Sequence, residues 1–177
     1  MIELLLLRHA KSSWSDTELP DMDRPLSKRG KQAAQAMGRL LAAKGPAPGL
    51  VLCSPARRAR DTWKIVSEEL KSAPRVLVDD AIYDFGNGGR LLDCIRARGG
   101  KNPVLMVVGH NPSMERLAQR LVSEGDPRLR QRMERKYPTA ALAIISFDLE
   151  DWAGLEDGAG TLQRFVRPRD IMPDAHD

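Results

Sequence analysis

The chain is poor in the features that mark specialised classes of protein. It has only two cysteines, Cys53 and Cys94, in 177 residues. Two thiols with no CxxC pair make neither a disulfide framework nor a zinc site, so both read as buried and reduced. Long apolar runs are missing as well. The run at the N-terminus is interrupted by Glu3 and is too short for a signal h-region. No other stretch approaches the roughly 20 apolar residues of a membrane span, so a cytoplasmic location without a membrane partner is the expectation. Charge of one sign is not concentrated either. The net charge is +4, and the basic residues form no long block, which argues against a nucleic-acid partner. No carboxylate cluster suggests a metal site, and neither metal nor cofactor is expected. There is no internal repeat and no low-complexity segment.

What is present suits one globular domain spanning residues 1–177, with 42% hydrophobic residues to build its core. Four apolar runs, 2–7, 50–53, 104–108 and 140–147, read as buried strands. The third is apolar throughout, as a central parallel strand covered on both faces would be. Helical periodicity alternates with these runs. Ala33, Ala34, Met37, Leu40 and Leu41 form one stripe, stopped by Gly45-Pro46. Ala59, Thr62, Trp63, Val66 and Leu70 form a second, and Met114, Leu117, Ala118, Leu121 and Val122 a third. A shorter helix is expected over 90–98, and 16–24 reads as a polar loop. Runs 140–147 and 161–166 read as a late hairpin, which makes one strand antiparallel, and the tail 167–177 as frayed. The expected fold is α/β: a three-layer α/β/α sandwich around a mostly parallel sheet.

Of the three histidines, His176 lies in the tail, while His9 and His110 each follow an apolar run by one or two residues. In an open parallel sheet, ligands bind beyond the carboxyl ends of the strands. Ser54-Pro55 and Asn111-Pro112 each follow a strand and open a helix. Ser and Asn suit the N-cap and Pro the first helical position, so two positive helix ends should face the same edge. Arg57, Arg58 and Arg60 crowd the first of these helices, where cations are disfavoured; a bound phosphate would relieve the repulsion. Arg57 and Arg60 are explained as well by solvation or by pairing with Asp61, Glu68 or Glu69. Arg8, Arg58, His9 and His110 remain, a set suited to phosphoryl transfer.

These residues resemble a known family. Leu6-Leu7-Arg8-His9, then Leu26-Ser27-Lys28-Arg29-Gly30 with Gln32-Ala33, then Ser54-Pro55-Ala56-Arg57-Arg58-Ala59 with Thr62, then Gly109-His110 are similar, in order, to the motifs of the histidine phosphatase superfamily with its phosphoglycerate mutase-like fold. Arg8-His9-Ala10-Lys11-Ser12, Asp23-Arg24-Pro25-Leu26, Val108-Gly109-His110-Asn111-Pro112 and Pro138-Thr139-Ala140-Ala141 resemble its SixA-type phosphohistidine phosphatases. The resemblance implies His9 as nucleophile, with Arg8, Arg58 and a protonated His110 binding the phosphoryl group. The glutamate that many members use as general acid has no match. Asp84 is the candidate substitute. The implied reaction is removal of phosphate from a phosphorylated protein through phospho-His9. A phosphatase for a small phosphate ester, with Asp84 as acid, and a phosphate-recognition module without turnover are the alternatives.

Overall fold

Residues 4–7 are four consecutive leucines, and each is fully buried. Burying such a side chain is worth about 1.5–3 kcal/mol, so a strand carrying four of them belongs at the centre of a sheet with both faces covered. The computed structural model, which describes residues 1–172, places β1 (Ile2–Arg8) there. The chain continues through α1 (Lys28–Lys44), β2 (Leu50–Cys53), α2 (Arg57–Glu69), β3 (Arg75–Val78), α3 (Gly89–Arg98) and β4 (Val104–Gly109). It ends with α4 (Ser113–Leu121), β5 (Val122–Gly125), α5 (Pro127–Arg135), β6 (Leu142–Phe147), β7 (Gly160–Val166) and the short α6 (Pro168–Ile171).

The strands form a single sheet in the order β3-β2-β4-β1-β6-β7-β5. β1 pairs in parallel with β4 and antiparallel with β6, and β6 is antiparallel to β7. With β2 parallel to both β3 and β4, and β5 parallel to β7, β6 is the one strand that runs against the rest. Alternate residues of the central strands serve different layers. Leu5, Leu7, Val51, Cys53, Met106 and Val108 pack with Ala34, Met37 and Val66 of α1 and α2. Leu4, Leu6, Leu52, Leu105 and Val107 pack with Leu91, Ile95, Met114 and Leu117 of α3 and α4. The three-layer, mostly parallel sandwich with one antiparallel strand is therefore the observed architecture. Cys53 and Cys94 are free and buried, and burial pushes both thiols up to about 12.

Several elements depart from the sequence expectation. β3 and β5 are four-residue edge strands with little burial, too short to carry a periodic signal. Val122 opens β5 rather than closing α4. β6 begins at Leu142 because Ala140 adopts a left-handed φ of 60°. That turn aims the Ala140 N–H at the carbonyls of Arg8 and His9, at 3.1 and 3.0 Å. The expected frayed tail forms α6 instead, where Asp170 accepts from the Arg167 backbone and side chain and pairs with Arg132 at 2.9 Å. Residues 173–177 of that tail, with His176, lie outside the described residues.

The start of α1 is stapled to the loop that follows β1. The Ser27 hydroxyl accepts from the Gly30 N–H at 3.0 Å and donates to the Lys11 carbonyl at 3.1 Å. A Cβ on Gly30 would lie 2.1 Å from that same carbonyl oxygen. Gly30→Ala must therefore push α1 and the 10–12 loop apart, and it should cost about 1–3 kcal/mol in urea unfolding. An unchanged midpoint would show that the two segments are not in contact.

Candidate active site

The register of the parallel ladders sets the site. Arg8 on β1 sits opposite Gly109 on β4, and Val108 sits opposite Cys53 on β2. One residue further along each strand come His9, His110 and Ser54. The His9 N–H donates to the Gly109 carbonyl, and the Ser54 N–H to the Val108 carbonyl, both at 3.0 Å. The imidazoles of His9 and His110 consequently lie 5.1 Å apart, centre to centre. Arg58, on the first turn of α2, reaches the same place, its Nη2 lying 3.3 Å from His110 Nδ1. Thr62, one helical turn on, donates to the Arg58 carbonyl and accepts from the Ala10 N–H at 2.9 Å, which ties α2 to the segment after His9. Arg8 is held by the Tyr137 carbonyl at 2.9 Å. Arg8, His9, Arg58 and His110 all line one cavity of about 930 Å³.

The hydrogen bonds assign the protons. A carbonyl oxygen only accepts, so the 2.7 Å contact between His9 Nδ1 and the Ala10 carbonyl places the His9 proton on Nδ1. Nε2 keeps its lone pair and has no protein partner among the described residues. Burial, reinforced by Arg58 and Arg8, lowers the His9 pKa to about 3. Arg58 can only donate, so His110 Nδ1 accepts from it, and Nε2–H donates to the Ser54 hydroxyl at 2.7 Å. Burial, then the neighbouring His9 and Arg58, lowers His110 to about 2. His110 is thus neutral beside Arg58; the protonated form expected of it belongs to the step in which it binds the phosphoryl group. An imidazolium directly beside the Arg58 guanidinium is disfavoured.

Arg58 is almost wholly enclosed, its side chain 2% exposed, and it is neutralised by a residue the sequence reading did not single out. Its Nη1 donates to the Asp21 carbonyl at 2.7 Å and its Nη2 to Asp21 Oδ2 at 2.9 Å. Tyr83 donates to Asp21 Oδ2 at 2.6 Å, and Arg24 pairs with Asp21 Oδ1 at 3.0 Å. Burial alone would raise the Asp21 pKa, but the hydrogen bonds from Tyr83 and Arg58 lower it to about 2. An anion therefore already sits beside the arginine fork.

The remaining candidates separate cleanly. Arg57 pairs with Asp61 at 3.4 Å, and Arg60 donates to the Pro55 carbonyl at 2.9 Å; neither lines the cavity. Asp84 is not among the lining residues. Its carboxylate accepts from the Gly86 N–H at 3.1 Å and meets Arg90 at 3.5 Å. Ser54 and Asn111 are not N-caps. The caps are Ala56 and Pro112, neither with a side-chain hydrogen bond. Ser54 instead accepts from the Ala56 N–H and orients His110, while Asn111, one residue before the cap, accepts from the Glu115 N–H of the first turn of α4 at 3.3 Å and donates to the Tyr137 carbonyl at 2.8 Å. The sequence reading also missed Trp14 and Phe85, exposed aromatics that line the cavity; Phe85 lies 5.0 Å from the His110 ring. The position of Asp21, three residues before Arg24 in a polar loop, was the available signal. Among the described residues no group of His, Cys, Asp or Glu is arranged to hold a metal ion, and no helix is long and apolar enough to cross a membrane.

Comparison with known proteins places the chain in a family. Residues 4–89 match the histidine phosphatase superfamily (branch 1). An uncharacterized protein of Mycobacterium tuberculosis is 34% identical over 165 residues, covering 92% of this chain and all of that protein. Among solved structures, SixA of Nakamurella multipartitia, provisionally named a phosphohistidine phosphatase, superposes with a TM-score of 0.81 at 28% identity, covering 94% of this chain and 96% of that one. SixA of Agrobacterium tumefaciens, named in the same provisional way, gives 0.77 at 27%, with 94% and 99% covered.

The depressed histidines make stability depend on pH with a definite sign. In the unfolded chain each imidazole takes up a proton below about pH 6.5, whereas His9 and His110 stay neutral in the folded protein down to about 3 and 2. Acid therefore favours unfolding, by up to about 1.4 kcal/mol per pH unit for each imidazole below 6.5. Urea unfolding should show stability falling as pH drops from about 6.5 to 4.5, and imidazole NMR should show His9 and His110 not titrating between about pH 5.5 and 8. A titration of either ring near 6.5 would contradict the assigned proton positions.

Proposed function

The chain belongs to the histidine phosphatase superfamily, to its SixA-type group, and is a phosphatase; we propose that its substrate is phosphohistidine on a protein and that His9 carries the phosphoryl group between substrate and water. The observation that carries the reading is the pairing of an uncharged His9, whose Nε2 has a free lone pair, with a cavity whose one lining carboxylate among the described residues, Asp21, is held ionised by Arg58, Arg24 and Tyr83.

In the first step the Nε2 lone pair of His9 attacks phosphorus in line. The bond from phosphorus to the leaving group breaks, and its electron pair goes to the leaving atom. Arg8 and Arg58 stabilise the charge on the equatorial oxygens. The negative charge brought by the phosphoryl group favours protonation of His110, which enters the reaction neutral. In the second step water attacks phosphorus, the bond to Nε2 breaks, and inorganic phosphate leaves with Nε2 again bearing a lone pair.

The leaving group decides between substrates. An alkoxide needs a proton from a general acid as it departs. An imidazole leaves as a weaker base that protonates near neutral pH. Asp21 cannot supply that proton while held at about 2, and Asp84 is occupied by Gly86 and Arg90. The site therefore suits a phosphorus–nitrogen bond. SixA of Nakamurella multipartitia, provisionally named for phosphohistidine, supports the same choice.

A substrate panel tests this. Phosphohistidine on a peptide should be hydrolysed with a kcat/KM at least about a hundredfold above that of an alkyl phosphate ester, with full activity in a chelator. Faster turnover of the ester would favour the small-ester reading. His9→Ala should abolish turnover, and Arg58→Ala should lower kcat by about 10²–10³. Asp84→Asn should leave phosphohistidine hydrolysis unchanged; a large loss would return Asp84 to the chemistry as the acid.

A further inference from the structure

The cavity is far longer than a phosphoryl group requires. From the histidines it runs along one face of α1, lined by Arg29, Gln32, Ala33, Gln35, Ala36 and Arg39, and reaches Pro168, Ile171 and Met172 at α6. Those α1 positions are spaced three, four, six, seven and ten residues from Arg29, which is one face of the helix. The stripe from Arg29 to Arg39 is about 15 Å long at the rise of an α-helix. The two alanines on it leave room between the helix and whatever lies over it.

The charge on this stretch is of one sign. Lys11, Arg29, Arg39 and Lys136 line the cavity, and Asp21, the only acidic residue doing so among the described residues, is already bound by Arg58, Arg24 and Tyr83. Lys11, Arg29 and Lys136 have no acidic partner among the described residues. Arg39 meets Glu69 at 3.7 Å, but its side chain is 67% exposed, and a pair so open to solvent is readily exchanged for a better one. Arg29 lies in the first turn of α1, where the helix dipole disfavours a cation. The cationic face thus carries a cost in the free protein that an anionic partner would offset. The net charge of the whole chain is only +4, so the effect is local to this wall.

The opposite end of the rim is aromatic. Trp14 is 70% exposed and stacks under the Arg24 guanidinium at 3.7 Å. Large exposed aromatics next to cations are the composition of a protein-binding surface. An apolar floor with a cationic border suits a polypeptide whose acidic side chains meet the border and whose aliphatic atoms lie on Ala33, Ala36 and Ile171.

We propose that this channel along α1 is the docking site for an acidic segment of the protein that carries the phosphohistidine, so that partner choice is made by charge along a stretch of helix about 15 Å long, outside the residues that carry out the chemistry. The inference rests on the phosphohistidine reading and adds to it the character of the partner. The channel acts on encounter and on KM, not on the bond-breaking step.

The test uses three synthetic peptides, each with one phosphohistidine, flanked by glutamates, glutamines or lysines, together with free phosphoramidate as a substrate too small to fill the channel. For the unaltered protein, kcat/KM should fall from the glutamate to the lysine peptide by at least about tenfold at low salt, and the gap should narrow as salt is raised. Arg29→Glu with Arg39→Glu should reverse the order of the peptides while phosphoramidate turnover stays within about twofold. Arg29→Glu alone breaks no observed ion pair and suits the helix dipole, so it guards against a folding defect; it should narrow the gap severalfold. Equal kcat/KM for the glutamate and lysine peptides would overturn the docking inference and leave phosphohistidine turnover standing. Failure to hydrolyse any of the three peptides, with an ester cleaved normally, would overturn both.

Discussion

Six residues of β1 run in parallel register with six of β4, ending at the pair Arg8 and Gly109. β2 joins β4 so that Cys53 faces Val108. A slip of one residue in either ladder would turn His9 or His110 to the other face of the sheet and break the hydrogen bonds that close the ladders, from the His9 N–H to the Gly109 carbonyl and from the Ser54 N–H to the Val108 carbonyl. The observed register brings three separate segments to the same height at one edge of the sheet. His9, His110 and Ser54 are the next residues out. The register thus fixes the 5.1 Å spacing of the two imidazoles, which no local feature of either loop would set.

Electrostatics then makes that geometry usable. Two imidazoles and two arginines in a confined space would repel one another strongly if all were charged. The structure avoids this in two ways. Burial and the neighbouring arginines keep both rings neutral, and Asp21 balances the enclosed Arg58. A neutral ring with its proton directed to the Ala10 carbonyl is also the form in which the other nitrogen attacks phosphorus. The same arrangement that relieves repulsion readies His9 as a nucleophile. Asp21, bound by two arginines and a tyrosine, shows how strongly this corner favours an anion.

Much of this was legible in the sequence because the central features are strong and local. Unbroken apolar runs marked β1, β2 and β4, and helical stripes marked α1, α2 and α4. The position of His9 and His110 just after two such runs was enough to place them at the same sheet edge. Other features depend on long-range contacts that one sequence does not display. The edge strands β3 and β5 are defined by pairing rather than by burial, and α6 is held by a contact with Arg132. Asp21 reads as one more acidic residue in a polar loop until Arg58, thirty-seven residues away, is seen to bind it. Ser54 and Asn111 fit the composition of helix caps, and each accepts from a backbone N–H at its helix start, of Ala56 and Glu115, but each also reaches into the site, to His110 and to the Tyr137 carbonyl. The neutral state of the His110 ring was not legible, because a histidine's charge depends on what surrounds it, here burial, His9 and Arg58.

The central claim concerns a single atom. If the Ala10 carbonyl holds the proton on Nδ1 of His9, only Nε2 can form the covalent intermediate. Mixing the protein with an isotopically labelled phosphohistidine peptide, quenching in alkali within a turnover, and mapping the label by mass spectrometry and phosphorus NMR reads that atom directly. The predicted result is a transient phosphoryl group on Nε2 of His9 that decays as inorganic phosphate appears. Label on Nδ1, on another residue, or on no residue while phosphate is still released would contradict the account.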